Sequence, residues 1–528
     1  MPRVAATDVR ILRTLAIALA AGLALALFVN LTLFPPAKAT STSASTSAGL
    51  ARYYAQKLIW HGCGGGMQCT TLSAPLDWGD PGGDSISLAL IRHPATGKKL
   101  GSLLVNPGGP GASGVDFVAN SVGNAVDASV AERYDIVGFD PRGVGASSAV
   151  DCYGDAALDG YLYGISPGAI GSDGWIDAQT KTAKAFIEAC KKNTGPLLAH
   201  IDTTSVARDL DLERAALGES KITYLGYSYG TYLGTIYAGL FPHRVGRMVL
   251  DGAEDPWLDN NPADTAHRID TSQEVAFESE LRAYLAACLA AKPAAIGKGT
   301  CAFAGSPNVG EGMKAVARLL TTVGEHPIRN TDGRMLGSAT LATAIYGDLY
   351  DPSQWSDLNA LFASVQHGEA GTAFASSDSY NDRSTDGTYY DNSVEAGVAI
   401  NCLEEGGNSN RSAMRRDAAA LKKDAPVLGI YDAFNGITCG EWPYGPVAFP
   451  DPVTARGAAP ILIVGSTGDP ATPYAQAKAL AHQLASGELV TYHGDGHTAY
   501  NKGVACVDAT VDAYLLAGTV PAKDPQCR

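Results

Sequence analysis

The sequence predicts an α/β protein: a mostly parallel central sheet, interrupted by a mainly helical cap insertion. Three observations predict it. Short apolar runs alternate with helical patterns through the first half of the chain. From about Asp255 to about Phe449 strand signals fade and helical periodicity takes over. Sheet texture returns at Pro460-Ile461-Leu462-Ile463-Val464-Gly465. Strands alternating with helices need crossovers, and crossovers make parallel neighbours.

Residues 85–94 alternate apolar and polar and read as a strand. Gly101 to Asn106 reads as a buried strand ending in Pro107-Gly108-Gly109-Pro110-Gly111. Tyr134 to Phe139 reads as another, and Arg247 to Asp251 as a further one. Residues 203–217 carry Val206, Leu210, Leu212 and Leu217 at helical spacing. Within the insertion, Glu278 to Leu289 and Gly312 to Thr322 read as helices, and the polar run 376–391 as an exposed loop.

The segment Ile222 to Tyr227 is a β-rich run that feeds into Gly226-Tyr227-Ser228-Tyr229-Gly230, followed by a helix-like stretch from Thr231 to Phe241 that Pro242 breaks. Strand, sharp turn and helix around Gly-x-Ser-x-Gly form the nucleophile elbow of an α/β-hydrolase fold. The turn strains the serine, and the flanking glycines let strand and helix approach. A second match, Gly164-Ile165-Ser166-Pro167-Gly168, lacks both a preceding strand and a backbone donor after the serine, because Pro167 has no N–H. Ser166 therefore reads as a loop residue and Ser228 as the nucleophile.

In this fold the acid and the base follow the serine in that order. Asp469, in Gly468-Asp469-Pro470 after the strand 461–464, is the expected acid, against a plain turn aspartate before proline. Three histidines follow it. His482 lies in a helical run, His493 ends the expected strand 488–492, and His497 sits in the loop Gly494-Asp495-Gly496-His497. A base must reach the serine from a loop, so His497 is the choice, with His493 the alternative. The oxyanion hole needs two converging N–H donors, expected from Tyr229 and Gly109. The loop 108–111 is no phosphate cradle, since no Gly-Lys-Ser/Thr follows it.

The chain has 528 residues, of which 46% are hydrophobic and 18% charged, enough for a large core. Its net charge of −15 argues against nucleic acid as a partner. Arg3, Arg10 and Arg13 precede an apolar run from Leu15 to Phe34 and a small-x-small site, Ala37-Lys38-Ala39. This predicts a signal peptide over 1–39, then a disordered linker over 40–50, catalytic segments over 51–254 and 450–528, and the cap over 255–449. The protein is then secreted, without stable membrane insertion. Uncleaved, the run is long enough to serve as a membrane anchor. Cleavage after Ala39 removes four basic residues and one acidic residue, moving the charge to −18. Ten cysteines follow the cut, an even number that suggests disulfides in an exported chain, with sequential pairing expected because it closes local loops. No Cys-x-x-Cys and no histidine at ligand spacing points to a metal, and nothing calls for a cofactor.

At these residues the chain resembles a family. Asn106 to Gly111 resembles the oxyanion loop of prolyl-aminopeptidase-like α/β-hydrolases. Thr203 to Thr235, Gly468 to Pro473, Gly494 to His497 and the tail Cys506 to Cys527 closely resemble secreted bacterial tripeptidyl aminopeptidases. The resemblance covers most of residues 50–528 and is weakest in the cap. It implies an exported serine exopeptidase that releases short peptides, tripeptides by this likeness, from free N-termini of peptides or proteins. It also implies acidic residues for the substrate ammonium. Cys402-Leu403-Glu404-Glu405 resembles the cap segment that carries one, which makes Glu404 and its neighbour Glu405 candidates, against a solvated acidic face. Glu254 is a further outsider and stands where the family carries apolar residues. The same triad serves a carboxylesterase or lipase-like hydrolase, the alternative reading. A binding protein on a disabled hydrolase fold is disfavoured, because every residue type needed is present in order.

Overall fold

The computed structural model describes residues 49–260, 272–447 and 452–528. The expected signal peptide lies outside the described residues, as do the expected boundary near 449 and all of the 40–50 linker except residues 49 and 50, which are helical.

The strands are β1 (His61–Gly64), β2 (Met67–Pro75), β3 (Ser85–His93), β4 (Gly101–Asn106), β5 (Tyr134–Phe139), β6 (Ile222–Tyr227), β7 (Val245–Asp251), β8 (Ile328–Arg329), β9 (Met335–Leu336), β10 (Ile461–Gly468), β11 (Gly487–Asp495) and β12 (Gln526–Cys527). Ten of them form one sheet in the order β1-β2-β3-β5-β4-β6-β7-β10-β11-β12, while β8 and β9 pair as a separate hairpin. Pairings from β5 through β4, β6, β7, β10 and β11 to β12 are parallel, and those among β1, β2, β3 and β5 are antiparallel. β5 is buried along its whole length and β6 nearly so, as an apolar strand covered on both faces must be. Parallel register brings the carboxyl ends of β4, β6, β7 and β10 to one edge: Asn106 faces Gly226, Tyr227 faces Asp251, and Asp251 faces Val464. Open α/β sheets build their sites at that edge.

Between β7 and β10 the chain is mainly helical, with helices that include Gln273–Leu289, Val309–Glu325, Ser338–Leu349, Gly371–Tyr380 and Ser393–Glu404. This region packs a hydrophobic core with Leu281, Leu285, Val316, Leu341, Ile345 and Phe362 fully buried, and Tyr163 and Ala471 of the sheet half join it. The run 376–391 is only in part the exposed loop its polarity suggests: residues 381–391 form turns in which Thr385, Asp386, Thr388 and Tyr390 are exposed. It begins as the last turn of the helix Gly371–Tyr380 and continues to Arg383, whose largely covered guanidinium pairs with Asp159 at 2.7 Å and Asp378 at 3.4 Å. Arg383 and Asp378 are spent on these pairs instead of on water.

Five disulfides join Cys63–Cys69, Cys152–Cys190, Cys288–Cys301, Cys402–Cys439 and Cys506–Cys527, the sequential pairing. They fit an oxidising, extracellular environment. No helix among the described residues is long and apolar enough to cross a membrane.

Candidate active site

Ser228 sits between β6 and the helix Tyr229–Leu240 with φ 54° and ψ −129°, a region that non-glycine residues seldom occupy. Such strain persists only where the surroundings enforce it. A Cβ on Gly226 would lie 2.3 Å from the Gly230 carbonyl oxygen, and one on Gly230 would lie 2.8 Å from the Asn106 carbonyl oxygen. Both glycines are therefore required by close backbone approach. The Ser228 N–H donates to the Asp251 carbonyl at 2.9 Å, which pins the turn to β7.

Asp469 follows β10, just past a register irregularity between Ser466 and Gly468 that redirects the chain at the strand end. It is buried, and its Oδ1 accepts the N–H groups of Ala471 at 2.9 Å and Thr472 at 2.8 Å. His497 Nδ1 lies 2.9 Å from Oδ1 and 3.0 Å from Oδ2. A carboxylate beside Nδ1 fixes the proton there and leaves the Nε2 lone pair outward. Nε2 is buried and hydrogen-bonds to no described residue, Ser228 included. The imidazole packs close to β7, since a Cβ on Gly252 would lie 2.9 Å from its Cε1. The structure thus joins Asp469 to His497. His493 is exposed on β11 and pairs with Gln526 at 2.6 Å, while exposed His482 ends the helix Tyr474–Gln483. Ser166 lies in a loop and accepts from Gln179 at 3.3 Å.

The loop after β4 lies against the elbow. A Cβ on Gly108 would be 2.9 Å from Ser228 Cβ and 3.1 Å from the Tyr229 nitrogen. Gly108 and Gly109 have φ of 96° and 108°, so both need glycine. The N–H groups of Gly109 and Tyr229 donate to no described residue.

A profile described as alpha/beta hydrolase fold matches residues 101–292, and one described as TAP-like protein matches residues 425–527. Serine protease Hip1 of Mycobacterium tuberculosis is 38% identical over 479 residues, 88% of each chain. The chain belongs to this TAP-like α/β-hydrolase family. Tripeptidyl aminopeptidase of Streptomyces lividans is 33% identical over 470 residues, 87% of this chain and 83% of that one. Carboxylesterase B of Mycobacterium tuberculosis is 34% identical over 467 residues, 87% and 86% of the two chains.

Two acidic candidates of this TAP-like hydrolase part company. Glu404 is enclosed, and its oxygens accept Thr203 N–H at 2.6 Å, Thr203 Oγ1 at 2.6 Å and Tyr232 OH at 3.2 Å. Burial raises its carboxyl to about 7, against the pull of those donors. Glu405 is reached by solvent but crowded by protein, and its carboxyl is raised first by desolvation and then by Glu274. Glu254 is partly covered, and its backbone N–H donates to Thr231 Oγ1 at 2.9 Å.

Three contributors escaped the sequence reading. Asp251 accepts Ala499 N–H at 3.1 Å and Tyr500 N–H at 2.8 Å, so one residue holds both the elbow and the histidine loop. A charged residue closing the apolar run of β7 was a usable signal. Thr472 Oγ1 lies 3.1 Å from Asp469 Oδ2 and 3.3 Å from His497 Nδ1. Tyr350, from the helical region, accepts the His497 N–H at 2.8 Å and sets its ring edge-on to the imidazole at 5.5 Å. No sequence signal marked Tyr350.

Proposed function

We propose that this chain is an exported serine exopeptidase that releases short peptides, tripeptides by likeness to its relatives, from free N-termini. The observation that carries this reading is His497, held on Asp469 by Nδ1 with Nε2 unpaired among the described residues, at the same carboxyl edge of the sheet as a strained serine. Ser228 Oγ attacks the scissile carbonyl while Nε2 takes its proton. The N–H groups of Gly109 and Tyr229 receive the developing oxyanion. Nε2 then protonates the leaving amine, and water hydrolyses the acyl-enzyme by the reverse relay. Asp469 holds the imidazole tautomer and stabilises its charged form.

Glu405, with Glu274 near it, is the candidate acceptor for the substrate ammonium. Glu404 is less suited, because its oxygens are already engaged. The helical region 255–449 acts as the cap that limits how much of the chain enters. Export rests on the leader-like N-terminus and the five disulfides. Sequencing the N-terminus of the exported protein should begin at Thr40.

The carboxylesterase reading is favoured by one relative's name and by a triad indifferent to ester or amide. Hydrolysis of free and N-acetylated tripeptide anilides separates the two. The exopeptidase reading expects cleavage of the free-amine substrate at least tenfold faster, about the worth of one ion pair in a covered site. Equal rates on both would overturn it.

A further inference from the structure

The helix Ser393–Glu404 belongs to the helical region by sequence, yet its start lies against the loop that carries Gly109 and its end reaches the Tyr229 side chain through Thr203. At its start, a Cβ on Gly111 would lie 2.3 Å from the Ser393 carbonyl oxygen and 2.8 Å from the Gly397 nitrogen. A Cβ on Gly397 would in turn lie 2.7 Å from the Pro110 carbonyl oxygen. The loop that carries the Gly109 N–H is thus in backbone contact with this helix. Asn392, its N-cap, donates to the carbonyls of Gly143 and Val150 at 2.9 and 2.8 Å, and Glu395 accepts the Tyr153 N–H at 2.6 Å. These bonds anchor the helix to the sheet half.

At its end, Glu404 reaches the other donor. Thr203 Oγ1 donates to Glu404 Oε1 at 2.6 Å and lies 2.5 Å from the Tyr229 hydroxyl. A hydroxyl has one proton, so with the Thr203 proton on the carboxylate, Tyr229 donates to Thr203. Tyr232 adds a bond to Glu404 Oε2 at 3.2 Å and stacks on Tyr229 at 5.8 Å between centroids. Cys402, two residues before Glu404, is tied to Cys439. The hydrogen bonds that join Glu404, Thr203, Tyr229 and Tyr232 are all buried, where an unmade partner is costly.

We propose that Glu404 is a positioning residue for the oxyanion hole: it locks the Tyr229 side chain through the Thr203 hydroxyl, while its helix seats the Gly108–Gly111 loop. Glu404 touches no reacting atom. Its effect is on the direction in which the Tyr229 N–H points, and misaimed groups lose rate without losing substrate. This rests on the exopeptidase reading only for the choice of substrate.

The test compares Glu404→Ala, Glu404→Gln and Thr203→Val in the full exported chain. Two rates are read: hydrolysis of free and N-acetylated tripeptide anilides, and labelling of Ser228 by a fluorophosphonate. The expectation for Glu404→Ala is a fall in kcat of roughly 10- to 100-fold, the scale of a small misplacement at a reacting centre, with KM within about twofold. The labelling rate and both anilides fall by the same factor, and Glu404→Gln recovers part of the loss. Thr203→Val, which leaves the Glu404 carboxylate in place, reproduces the loss and serves if the alanine variant fails to fold. A rise in KM confined to the free-amine substrate, with labelling unchanged, would make Glu404 an amine ligand and overturn the proposal. Unchanged rates in all three variants would overturn it as well. If the wild-type protein labels but cleaves neither anilide, the exopeptidase reading fails, and the labelling rates alone decide the role of Glu404.

Discussion

The carboxyl edge of the sheet and the helical region between β7 and β10 serve one site by different means. The sheet edge works through backbone. Ser228 is held at a positive φ, Gly226 and Gly230 are required by close approach, and Asp251 gathers N–H groups from two loops. The helical region works through side chains and capping groups that arrive from far along the chain: Tyr350 on His497, Glu404 behind Tyr229, and Glu280 near Asp469. Backbone geometry fixes where the reacting groups are. The helical region adds contacts that brace them from the other side.

The largest test of this division is at the sheet edge itself. Ser228→Ala should lower kcat by on the order of 10⁴-fold or more, leaving only the rate supplied by binding and the oxyanion donors, and should end fluorophosphonate labelling. Its thermal unfolding should stay close to that of the wild type, since the change removes one partly exposed hydroxyl.

Next comes the seam between the two regions. Gly111→Ala places a methyl 2.3 Å from the Ser393 carbonyl at a φ of 104°, so the loop must move. We expect kcat to fall about 100-fold, because the displaced loop carries one proposed oxyanion donor. A variant that kept full activity would show that the helix Ser393–Glu404 and the loop are not mechanically joined.

A smaller effect is expected at the proposed ammonium acceptor in the helical region. Glu405→Gln should raise KM for the free-amine tripeptide anilide by about tenfold while leaving the N-acetylated one unchanged, the signature of a lost charge pair. Equal changes in both would move the ammonium site elsewhere.

The smallest effect is on stability. Glu280 is buried, its Oε1 has no partner among the described residues, and its carboxyl is raised to about 9 by burial, then by Asp495 and Asp469. Below the ordinary glutamate range the group is protonated in both native and unfolded chains. As pH rises, the unfolded chain releases the proton while the native chain keeps it to about 9, so stability declines across that window. Glu280→Gln removes that part of the decline. Its Tm relative to the wild type should climb steadily from pH 5 to pH 9; a constant offset would mean that Glu280 does not hold its proton.

The same contrast explains what the sequence disclosed. The strands at 101–106 and 134–139, the elbow, and the Asp469–His497 contact follow from local signals: apolar runs that end in turns, glycines two positions from a serine, a histidine in a glycine loop. The disulfides, too, join neighbours in sequence. Tyr350 and the true surroundings of Glu404 were hidden, since each depends on a partner more than a hundred residues away that no spacing rule relates to it. The run 376–391 was legible only in part for the same reason: Arg383 within it pairs with Asp159, which lies far earlier in the chain. Asp251 was within reach, as a charge that closes a buried strand.

The five disulfides acquire a meaning from where they fall. Cys63–Cys69, Cys152–Cys190 and Cys506–Cys527 lie within the sheet half, and Cys288–Cys301 and Cys402–Cys439 within the helical region. None crosses between them. Oxidation therefore toughens each part and leaves their join to packing, hydrogen bonds and ion pairs such as Arg383–Asp159. Mild denaturant should silence the enzyme while most of its helix and sheet signals persist, because no disulfide ties the two parts together.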